Sequence, residues 1–300
     1  MGRIPPSPLN VGAVIVLFHP EGDLNTRLQR VIDQTSSIVI IANDGLGADR
    51  LGPLSFDRIE YLQPTENIGL AAALNWGIES ISKKGLDWCL LLDQDTLIDY
   101  GFIEGMEGVW KDCPDRKKIA ILAPNYRSPT GSKLAYPSHP KWQILVTSVT
   151  SGSIISIDFF HQLGGMHEAF FIEGIDIEYS LRVQNAGFLI VASGNALMTH
   201  GAGHTEERLF FGRTILISHH DAWRRYMQLR NLTWIIWKYG SRQPCWAAGA
   251  IYSTFKQCVA ILFFEENRLL KLWAIFSGVF AGSSDYLFKD SNHTNVERNK

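Results

Sequence analysis

The sequence predicts an α/β fold with a mainly parallel central sheet flanked by helices, followed by a helical C-terminal extension. Apolar runs of strand length alternate with segments whose apolar residues repeat at helical spacing, which is typical of βαβ units. With 300 residues and 46% hydrophobic content, the chain is large enough to bury a full core. After His219 large side chains rich in tryptophan lie three or four positions apart, which indicates a helix with an aromatic stripe: Trp223, Met227, Arg230, Trp234 and Trp237.

The elements of the first 124 residues follow in regular order. We expect strands at the segments VGAVIVLF, SIVIIAN, RIEYL, WCLLLD and IAILAP. Between them, apolar residues at helical spacing predict helices over residues 24–32, 70–81 and 102–109. Except for RIEYL, these strands consist mainly of apolar residues, as expected for strands that are covered on both faces.

The alternation breaks after Pro124. Residues 124–140 are rich in Pro, Ser, Tyr and Gly, which predicts a long surface loop. A strand is expected in LVTSVTSGSIISI, a helix in IDIEYSLRVQNAG, a strand in FLIVA and a loop in SGNALMT. We place a boundary within residues 202–218 and predict two domains, residues 10–204 and 205–300.

Composition narrows the functional classes. A net charge of −2 gives no reason to expect nucleic acid as a partner. The four cysteines are scattered without a CxxC pair, which argues against a structural zinc site or a disulfide framework and favours a reducing compartment. The first ten residues show no apolar stretch of the signal-peptide type, so we expect a cytoplasmic protein.

The segment LLLDQDT ends an apolar strand in two carboxylates, Asp93 and Asp95. A strand end followed by a helix cap would explain both. Two like charges this close repel one another unless a cation or hydrogen-bond donors stabilise them. Carboxylate oxygens suit Mg²⁺ or Mn²⁺, which usually share their coordination with substrate phosphates. We therefore favour a site for a metal ion and a phosphate.

Two enzyme classes carry such a motif. In the haloacid-dehalogenase phosphatases the first Asp is a nucleophile, but their motif lies on the first strand and has Thr or Val two residues after the second Asp. Here the motif lies on the fourth predicted strand, and Thr96 follows Asp95 immediately. The other class is the glycosyltransferases that use nucleotide sugars.

Four stretches in order, IANDG, ENIGLAAALNWGI, LLLDQDT and GGMHEAFFIEGIDIEYSLRVQNAGF, resemble glycosyltransferase family 2, and in particular the bacterial rhamnosyltransferases. The resemblance covers about residues 11–204, with an echo in MQLRNLTWIIWKYG. It implies the GT-A fold, a Rossmann-like arrangement. It also implies a nucleotide-sugar donor and a divalent metal ion. The absence of a Q-x-x-R-W motif favours a single transfer per encounter.

The resemblance assigns the first part of the donor site. Asp44 would accept a hydrogen bond from N3–H of a uracil or thymine ring, although NDG is also an ordinary turn sequence. Asn67 would lie near the nucleotide, and its alternative role is a helix cap. Gly69 opens a helix whose free N–H groups suit a diphosphate, and the following alanines allow close packing.

The second acidic cluster supplies the general base. By resemblance Asp176 takes the proton of the acceptor hydroxyl, with inversion at the sugar, although acids at a helix N-terminus also simply complement its dipole. Many family members have Glu-Asp at this point, whereas Ile175 precedes Asp176 here, as in rhamnosyltransferase-like members. Glu173 remains a rival base, and Arg182 is a partner for these acids or for substrate.

The metal and acceptor sites complete the prediction. Asp93, Asp95 and His200 are the expected ligands of Mg²⁺ or Mn²⁺, with a structural role as the alternative for His200. Asp93 and Asp95 also face the donor. Four residues are expected near the acceptor: Ser151, Gly152, Glu173 and Arg182.

The predicted function is an inverting glycosyltransferase that moves a sugar, rhamnose from dTDP-rhamnose by resemblance, to a glycan or lipid-linked saccharide. UDP-sugars are alternative donors. A phosphatase of the haloacid-dehalogenase type and a non-catalytic scaffold with this fold are the competing hypotheses.

The apolar C-terminal region is interrupted by Lys256, Glu265, Glu266, Arg268 and Lys271, so we expect no segment of about 20 uncharged residues to span a bilayer. Its helices are expected either to form a homodimer or to lie on the inner face of the cell membrane as an amphipathic anchor. We favour the peripheral membrane anchor.

Overall fold

The computed structural model describes residues 9–20, 23–45, 58–127, 134, 140–199, 206–210 and 213–290. The chain divides into two units. The sheet unit comprises residues 1–171 and 175–201, and the helical unit comprises residues 172–174 and 202–300. The predicted domain boundary after residue 204 lies close to this division, but the assignment of residues 172–174 to the helical unit was not predicted.

The first half of the sheet unit has the predicted βαβ organisation. Its elements are β1 (Val11–Leu17), α1 (Leu24–Ile32), β2 (Ser37–Ala42), β3 (Ile59–Leu62), α2 (Leu70–Lys83) and β4 (Trp88–Asp93). The four strands are parallel in the order β3-β2-β1-β4. Strands β1 and β2 are almost entirely buried, which confirms that helices cover both faces of this part of the sheet.

Small residues bring helix α2 close to the sheet. A Cβ atom on Gly77 would lie 2.5 Å from Cγ1 of Val14 in β1, and one on Gly12 would lie 2.8 Å from Cδ1 of Ile81. Ala71 and Ala73 are fully buried in the same helix. The predicted close packing of α2 is confirmed, and it fixes where the start of α2 lies relative to the strand ends.

The second half of the sheet unit is mixed. Its elements are β5 (Leu97–Ile98), α3 (Phe102–Asp112), a 3-10 turn (Arg116–Lys118), β6 (Ile119–Arg127), β7 (Trp142–Ile144), β8 (Ile154–Ser156), α4 (Ile157–Leu163), α5 (Ile175–Asn185) and β9 (Leu189–Thr199). The strand order continues as β4-β8-β6-β9-β5, and β7 pairs with β9. Strand β8 runs antiparallel to both β4 and β6.

Two predictions for this half were wrong. Only residues 154–156 of LVTSVTSGSIISI form a strand, because Gly152 has a φ of +78° and turns the chain just before it. The expected loop SGNALMT is part of β9, which pairs with β6 across a register shift between Ala123 and Asn125. Most of the predicted loop at residues 124–140 lies outside the described residues.

The helical unit contains more than the predicted helices. Its elements are the hairpin β10 (Glu206–Phe210) and β11 (Arg213–Ile217), α6 (Ala222–Tyr239), α7 (Pro244–Phe264), α8 (Arg268–Asp285) and a π-helix (Tyr286–Asp290). Helices α6 and α8 approach closely, since a Cβ on Gly278 would lie 2.5 Å from the carbonyl oxygen of Tyr226. Of the predicted aromatic stripe on α6, Trp234 is buried, whereas Trp223 and Trp237 are exposed.

A buried charge network lies inside the helical unit. The carboxylate of Glu265 accepts from Nη2 of Arg225 at 2.8 Å and from Nζ of Lys271 at 2.7 Å. All three side chains are buried. Glu265 and Lys271 appeared in the sequence as charges that interrupt an apolar tail. In the structure the Glu265 carboxylate instead forms ion pairs with both Lys271 and Arg225 in the interior of the unit.

Helix α7 differs from the sequence expectation about membrane spans. Lys256 is its single charged residue, and its 21 residues are long and apolar enough to cross a bilayer, by length and composition only. Only 17% of its most apolar window is buried within the protein. The lysine therefore interrupts the apolar sequence without excluding a span on these two criteria.

Candidate active site

A buried serine, Ser151, forms hydrogen bonds with the acidic loop that follows β4. Asp93 is half-buried and Asp95 is exposed. The backbone N–H of Asp93 donates to Oγ of Ser151 at 3.0 Å, and that oxygen lies 2.6 Å from Oγ1 of Thr96. Ser151 and Thr96 are both buried. These bonds fix the backbone between the two aspartates.

Gln94, the residue between the two aspartates, ties the loop to the neighbouring strand. Its side-chain oxygen accepts from the backbone N–H of Phe18, at the end of β1, at 2.7 Å. Its backbone carbonyl accepts from Nη1 of Arg27 on α1 at 2.9 Å. Gln94 was not predicted as a site residue, and the only signal for it in the sequence is its position between the two aspartates.

Asp44 lies at the end of β2 and is connected to the same edge. Its side chain is completely buried. Its Oδ2 accepts from the backbone N–H of His19 at 2.7 Å, and His19 has a φ of +48°. A non-glycine residue in the left-handed region costs of order ~1–3 kcal/mol, so this hydrogen bond helps to hold the loop after β1.

The asparagines before α2 form the next part of the edge. Nδ2 of Asn43 donates to Oδ1 of Asn67 at 3.0 Å, and Oδ1 of Asn43 accepts from the N–H of Ile68 at 3.0 Å. Oδ1 of Asn67 also accepts from the N–H of Gly69 at 2.9 Å. Asn67 thus orders the turn that enters α2. The N-cap of α2 is Gly69, without a side-chain cap, so the alternative role of Asn67 as the helix cap is wrong.

The first amide of α2 already has a partner in the protein. The N–H of Leu70 donates to the carbonyl of Phe171 at 2.7 Å. Gly69 has a φ of +82°, and a Cβ there would lie 2.6 Å from Cδ2 of the Phe171 ring. Glycine is required at this position for close approach to Phe171, and its predicted contact with a diphosphate stays a prediction.

The hydrogen bonds place Asp44, Asn67, Asp93 and Asp95 at one edge of the sheet. This edge is formed by the carboxyl ends of β1, β2 and β4. Because β2 and β4 lie on opposite sides of β1, it is the point where the strand order reverses, which is where open α/β sheets bind ligands.

Asp176 lies in the first turn of α5. Its Oδ1 accepts from the N–H of Ile177 at 2.9 Å, and the helix dipole favours a carboxylate at this end. Its neighbour Glu178 is buried and accepts from Nη2 of Arg182 at 2.6 Å. Nη1 of Arg182 donates to the carbonyl of Leu163 at 2.7 Å. Glu178 and Arg182 thus anchor the helix that carries Asp176.

Glu173, the rival base, forms an ion pair with Arg224 on helix α6. The four residues predicted to contact the acceptor all have internal contacts. Ser151 supports the acidic loop, Gly152 forms a turn beside Met198 where a side chain would not fit, and Arg182 and Glu173 are paired with the partners above. Their acceptor contacts stay a prediction.

The donor set suits a divalent cation only in part. Asp93 and Asp95 provide hard oxygen ligands of the kind that Mg²⁺ and Mn²⁺ use together with substrate phosphates. Within the described ranges, no group of three or more His, Cys, Asp and Glu side chains is close enough to hold a metal. His200, the predicted third ligand, lies outside the described residues. Two carboxylates and a diphosphate would fit the predicted ion.

Comparison with known proteins identifies the class of enzyme. No family model matches the chain. The chain is 27% identical over 241 residues to dTDP-rhamnosyl transferase RfbF of Shigella flexneri, a match that covers 74% of this chain and 78% of RfbF. Its fold is similar to that of GalNAc-T7 crystallised with UDP, GalNAc and Mn²⁺ (TM-score 0.54, 16% identity). That match covers 76% of this chain and 47%, about half, of GalNAc-T7.

A second solved structure covers nearly the whole chain. TarS from S. aureus, residues 1–349, matches 94% of this chain and 73% of its own with a TM-score of 0.52 and 10% identity. The chain is a glycosyltransferase of the GT-A fold. This glycosyltransferase resembles the rhamnosyltransferases of family 2, as its four motifs predicted. The phosphatase hypothesis is set aside, because the relatives and the strand that carries Asp93 and Asp95 both point to the glycosyltransferases.

Proposed function

We propose that this glycosyltransferase moves rhamnose from dTDP-rhamnose to a hydroxyl of a glycan or lipid-linked saccharide, with inversion, in the synthesis of a bacterial surface polysaccharide such as an O-antigen or a cell-wall polymer. The observation that supports it most is the hydrogen-bonded edge that joins Asp44, Asn67 and the Asp93–Asp95 loop at the switch point of the sheet. RfbF, the similar dTDP-rhamnosyl transferase, supports rhamnose and dTDP. UDP-sugars are the alternative donors.

The donor occupies the carboxyl edge of β1, β2 and β4 in this proposal. Asp44 receives the N3–H of the thymine or uracil ring, and Asn67 lies beside the nucleotide. Asp93 and Asp95, with His200 as a third ligand, would hold Mg²⁺ or Mn²⁺ beside the diphosphate. The ion, when bound, stabilises negative charge on the departing diphosphate. The Mn²⁺ and UDP in the GalNAc-T7 crystals support both the metal and the type of donor.

Asp176 accepts the proton of the acceptor hydroxyl as the hydroxyl oxygen bonds to the anomeric carbon and the bond to the diphosphate breaks. Inversion requires the attack to come from the face opposite the diphosphate, so the base belongs to a different element from the donor carboxylates. Asp176, on α5, meets that requirement, whereas Glu173 is engaged by Arg224. A positioned base contributes roughly 10²- to 10⁴-fold to the rate.

The test is a panel of dTDP-rhamnose, UDP-sugars and GDP-sugars with Mn²⁺ or Mg²⁺, following release of nucleoside diphosphate and titrating donor binding in the same samples. We expect one donor to bind and be cleaved, EDTA to abolish cleavage, and Asp95→Asn and Asp176→Asn both to lose it. Asp115→Asn, an exposed surface change, is the matched control. Metal-dependent binding without turnover, with a glycan acceptor supplied, would favour the scaffold hypothesis. Absence of binding by any donor would refute the proposal.

We also propose that helices α7 and α8 rest on the cytoplasmic face of the cell membrane. Leu269, Trp273, Phe276 and Phe280 of α8 lie on one face of the helix and are 66–84% exposed. Exposed apolar residues also occur on α7, among them Tyr252 and Phe255. Isolated apolar residues are common on surfaces, but an unbroken stripe indicates an interaction site.

The charges beside this stripe favour lipid as its partner. In the described residues from 238 to 288, four basic side chains are exposed, Lys238, Arg242, Lys256 and Arg268, against one acidic side chain, Glu266. Aromatic residues with flanking basic residues suit the boundary between headgroups and acyl chains, and basic residues attract anionic lipids.

Vesicle sedimentation tests this proposal. We expect binding to phosphatidylglycerol vesicles, weaker binding to phosphatidylcholine vesicles, and a large loss in Trp273→Ser/Phe276→Ser. Trp223→Ser, which removes an exposed aromatic outside α7 and α8, should bind as wild type does. Equal binding by wild type and the double variant would contradict the proposal. A dimer in sedimentation analysis that the double variant dissociates would assign the stripe to a second copy of the chain.

A further inference from the structure

We infer that Asn231, on helix α6, is a positioning residue for the general base. Its side chain holds the backbone of residues 172–173, the short segment that leads directly into Asp176. The inference rests on the proposed role of Asp176. It concerns a residue outside the four motifs, within the echo MQLRNLTWIIWKYG that the function above leaves unexplained.

The hydrogen bonds of Asn231 are directed at that segment. Its Nδ2 donates to the carbonyl of Ile172 at 2.8 Å and to the carbonyl of Glu173 at 2.8 Å. Both N–H groups of the amide are thereby used. Its Oδ1 accepts from Nη1 of Arg230 at 3.1 Å. Asn231 is fully buried, so water cannot readily replace these bonds.

The segment adopts a backbone conformation that needs such support. Glu173 has a φ of +67° and Gly174 a φ of +75°, so two consecutive residues are in the left-handed region. For a non-glycine residue this conformation costs of order ~1–3 kcal/mol and persists only where its surroundings enforce it. The ion pair between Glu173 and Arg224 adds a second contact from the same helix.

The segment is also fixed just before residue 172. The carbonyl of Phe171 accepts from the N–H of Leu70, and its ring packs on Gly69. Just after Gly174, helix α5 begins at Ile175 and presents Asp176 as its second residue. The direction in which α5 starts therefore depends on the two left-handed residues, and these depend on Asn231. Left-handed turns of this kind cluster at functional sites.

The consequence for the reaction is geometric. A base acts only within hydrogen-bond reach of the proton that it takes, and a misplacement of about 1 Å can cost on the order of 10²-fold in rate. Removal of the Asn231 amide leaves two half-buried carbonyls without these donors and frees the turn to move. We therefore expect turnover to fall while donor affinity, which depends on the strand edge with Asp44 and Asp95, is retained.

The experiment compares Asn231→Ala, Asn231→Asp, Glu173→Gln and Asp176→Asn with wild type, below the melting temperature of each. Asn195→Ala, an exposed asparagine in the sheet unit, is the matched control. The readouts are kcat, the Kd of the donor, and hydrogen–deuterium exchange of peptides that span residues 171–177. We expect a fall of about 10- to 100-fold in kcat for both Asn231 variants, an unchanged Kd, and faster exchange in these peptides.

A structural role alone would lower the melting temperature and leave kcat and exchange at 171–177 unchanged in the folded protein, and that result would overturn the inference. If Asn231→Ala does not fold, the isosteric Asn231→Asp and the partly exposed pair Glu173–Arg224 remain as tests. Unchanged kcat and exchange in Asn231→Asp and in Glu173→Gln would likewise overturn it. An inactive Asp176→Asn beside a fully active Asn231→Ala refutes the inference alone, whereas a fully active Asp176→Asn refutes the base assignment itself.

Discussion

The carboxylates at the strand edge of the sheet unit and the carboxylate inside the helical unit have opposite surroundings. Asp95 is exposed at the end of β4, and the hydrogen bonds around it fix the backbone of its loop. Glu265 is completely buried between Arg225 and Lys271. The difference predicts a structural role for Glu265, whose charge has buried partners, and agrees with the functional role proposed above for the exposed Asp95.

The largest effect, a loss of stability, is expected when Glu265 is replaced. Its replacement by Ala leaves Arg225 and Lys271 buried without their counter-charge, and breaking a buried ion pair costs roughly 3–5 kcal/mol. Denaturant unfolding should show this loss, while kcat of the folded protein stays unchanged. Glu266→Ala removes the same charge from the exposed neighbouring position and should change stability by less than about 0.5 kcal/mol. Equal losses of stability in Glu265→Ala and Glu266→Ala would show that the buried ion pairs of Glu265 do not stabilise the helical unit.

Replacement of Asp95 should lower activity and leave stability unchanged, the reverse of what we expect for Glu265→Ala. Asp95→Asn removes a charge from the proposed metal site, and we expect activity to fall at least about 100-fold, roughly 2.7 kcal/mol. Because the side chain is exposed, the melting temperature should not fall. Isothermal titration should show that Mn²⁺ no longer tightens donor binding. If Mn²⁺ still tightens donor binding in this variant, the metal does not bind at the end of β4.

Ser151 connects stability to the site and should have an intermediate effect. Ser151→Ala removes the acceptor of the Asp93 N–H and the partner of Thr96. Leaving a buried donor unsatisfied costs about 1–3 kcal/mol, so both stability and activity should decline. The exposed Ser36→Ala is the control. Loss of acceptor affinity with unchanged stability would instead support the acceptor contact first predicted for Ser151.

The smallest expected effect is on the pH dependence of stability, through His220. Burial lowers the pKa of His220, and the neighbouring Arg224 and Arg225 lower it further, against weaker opposite effects from Glu173 and Glu265. The folded protein therefore holds His220 neutral at pH values where the unfolded chain protonates it. Its contribution to stability is fully present above pH ~6.5, the ordinary histidine value, and declines as the pH falls through the lowered pKa.

His220→Gln should flatten the fall in stability below pH ~6.5, measured by urea unfolding at a series of pH values. Ser241→Ala, which changes an exposed residue without a titratable group in the same unit, should leave the slope as in wild type. An identical slope in the His220 variant would show that other groups control the acid sensitivity of the helical unit.

The sequence by itself determined the parallel half of the sheet and where its candidate donor-site motifs lie. Apolar strands and helical spacing are local patterns, and the polar residues that follow β2 and β4 necessarily meet at one edge because the strands are parallel. That is why the shared location of Asp44, Asn67, Asp93 and Asp95 follows from the sequence, whereas their roles in donor and metal binding stay a prediction.

Only the tertiary structure decided which acids are neutralised. Glu173 is paired with Arg224 and Glu265 with Arg225, at separations of 51 and 40 residues. Ser151 reaches the acidic loop across 58 residues, and Asn231 reaches Glu173 across 58. Such contacts leave no periodic trace in the sequence, because each depends on where two distant segments lie once the chain has folded. The same reason explains why the antiparallel strand β8 and the turn before Asp176 were not predicted.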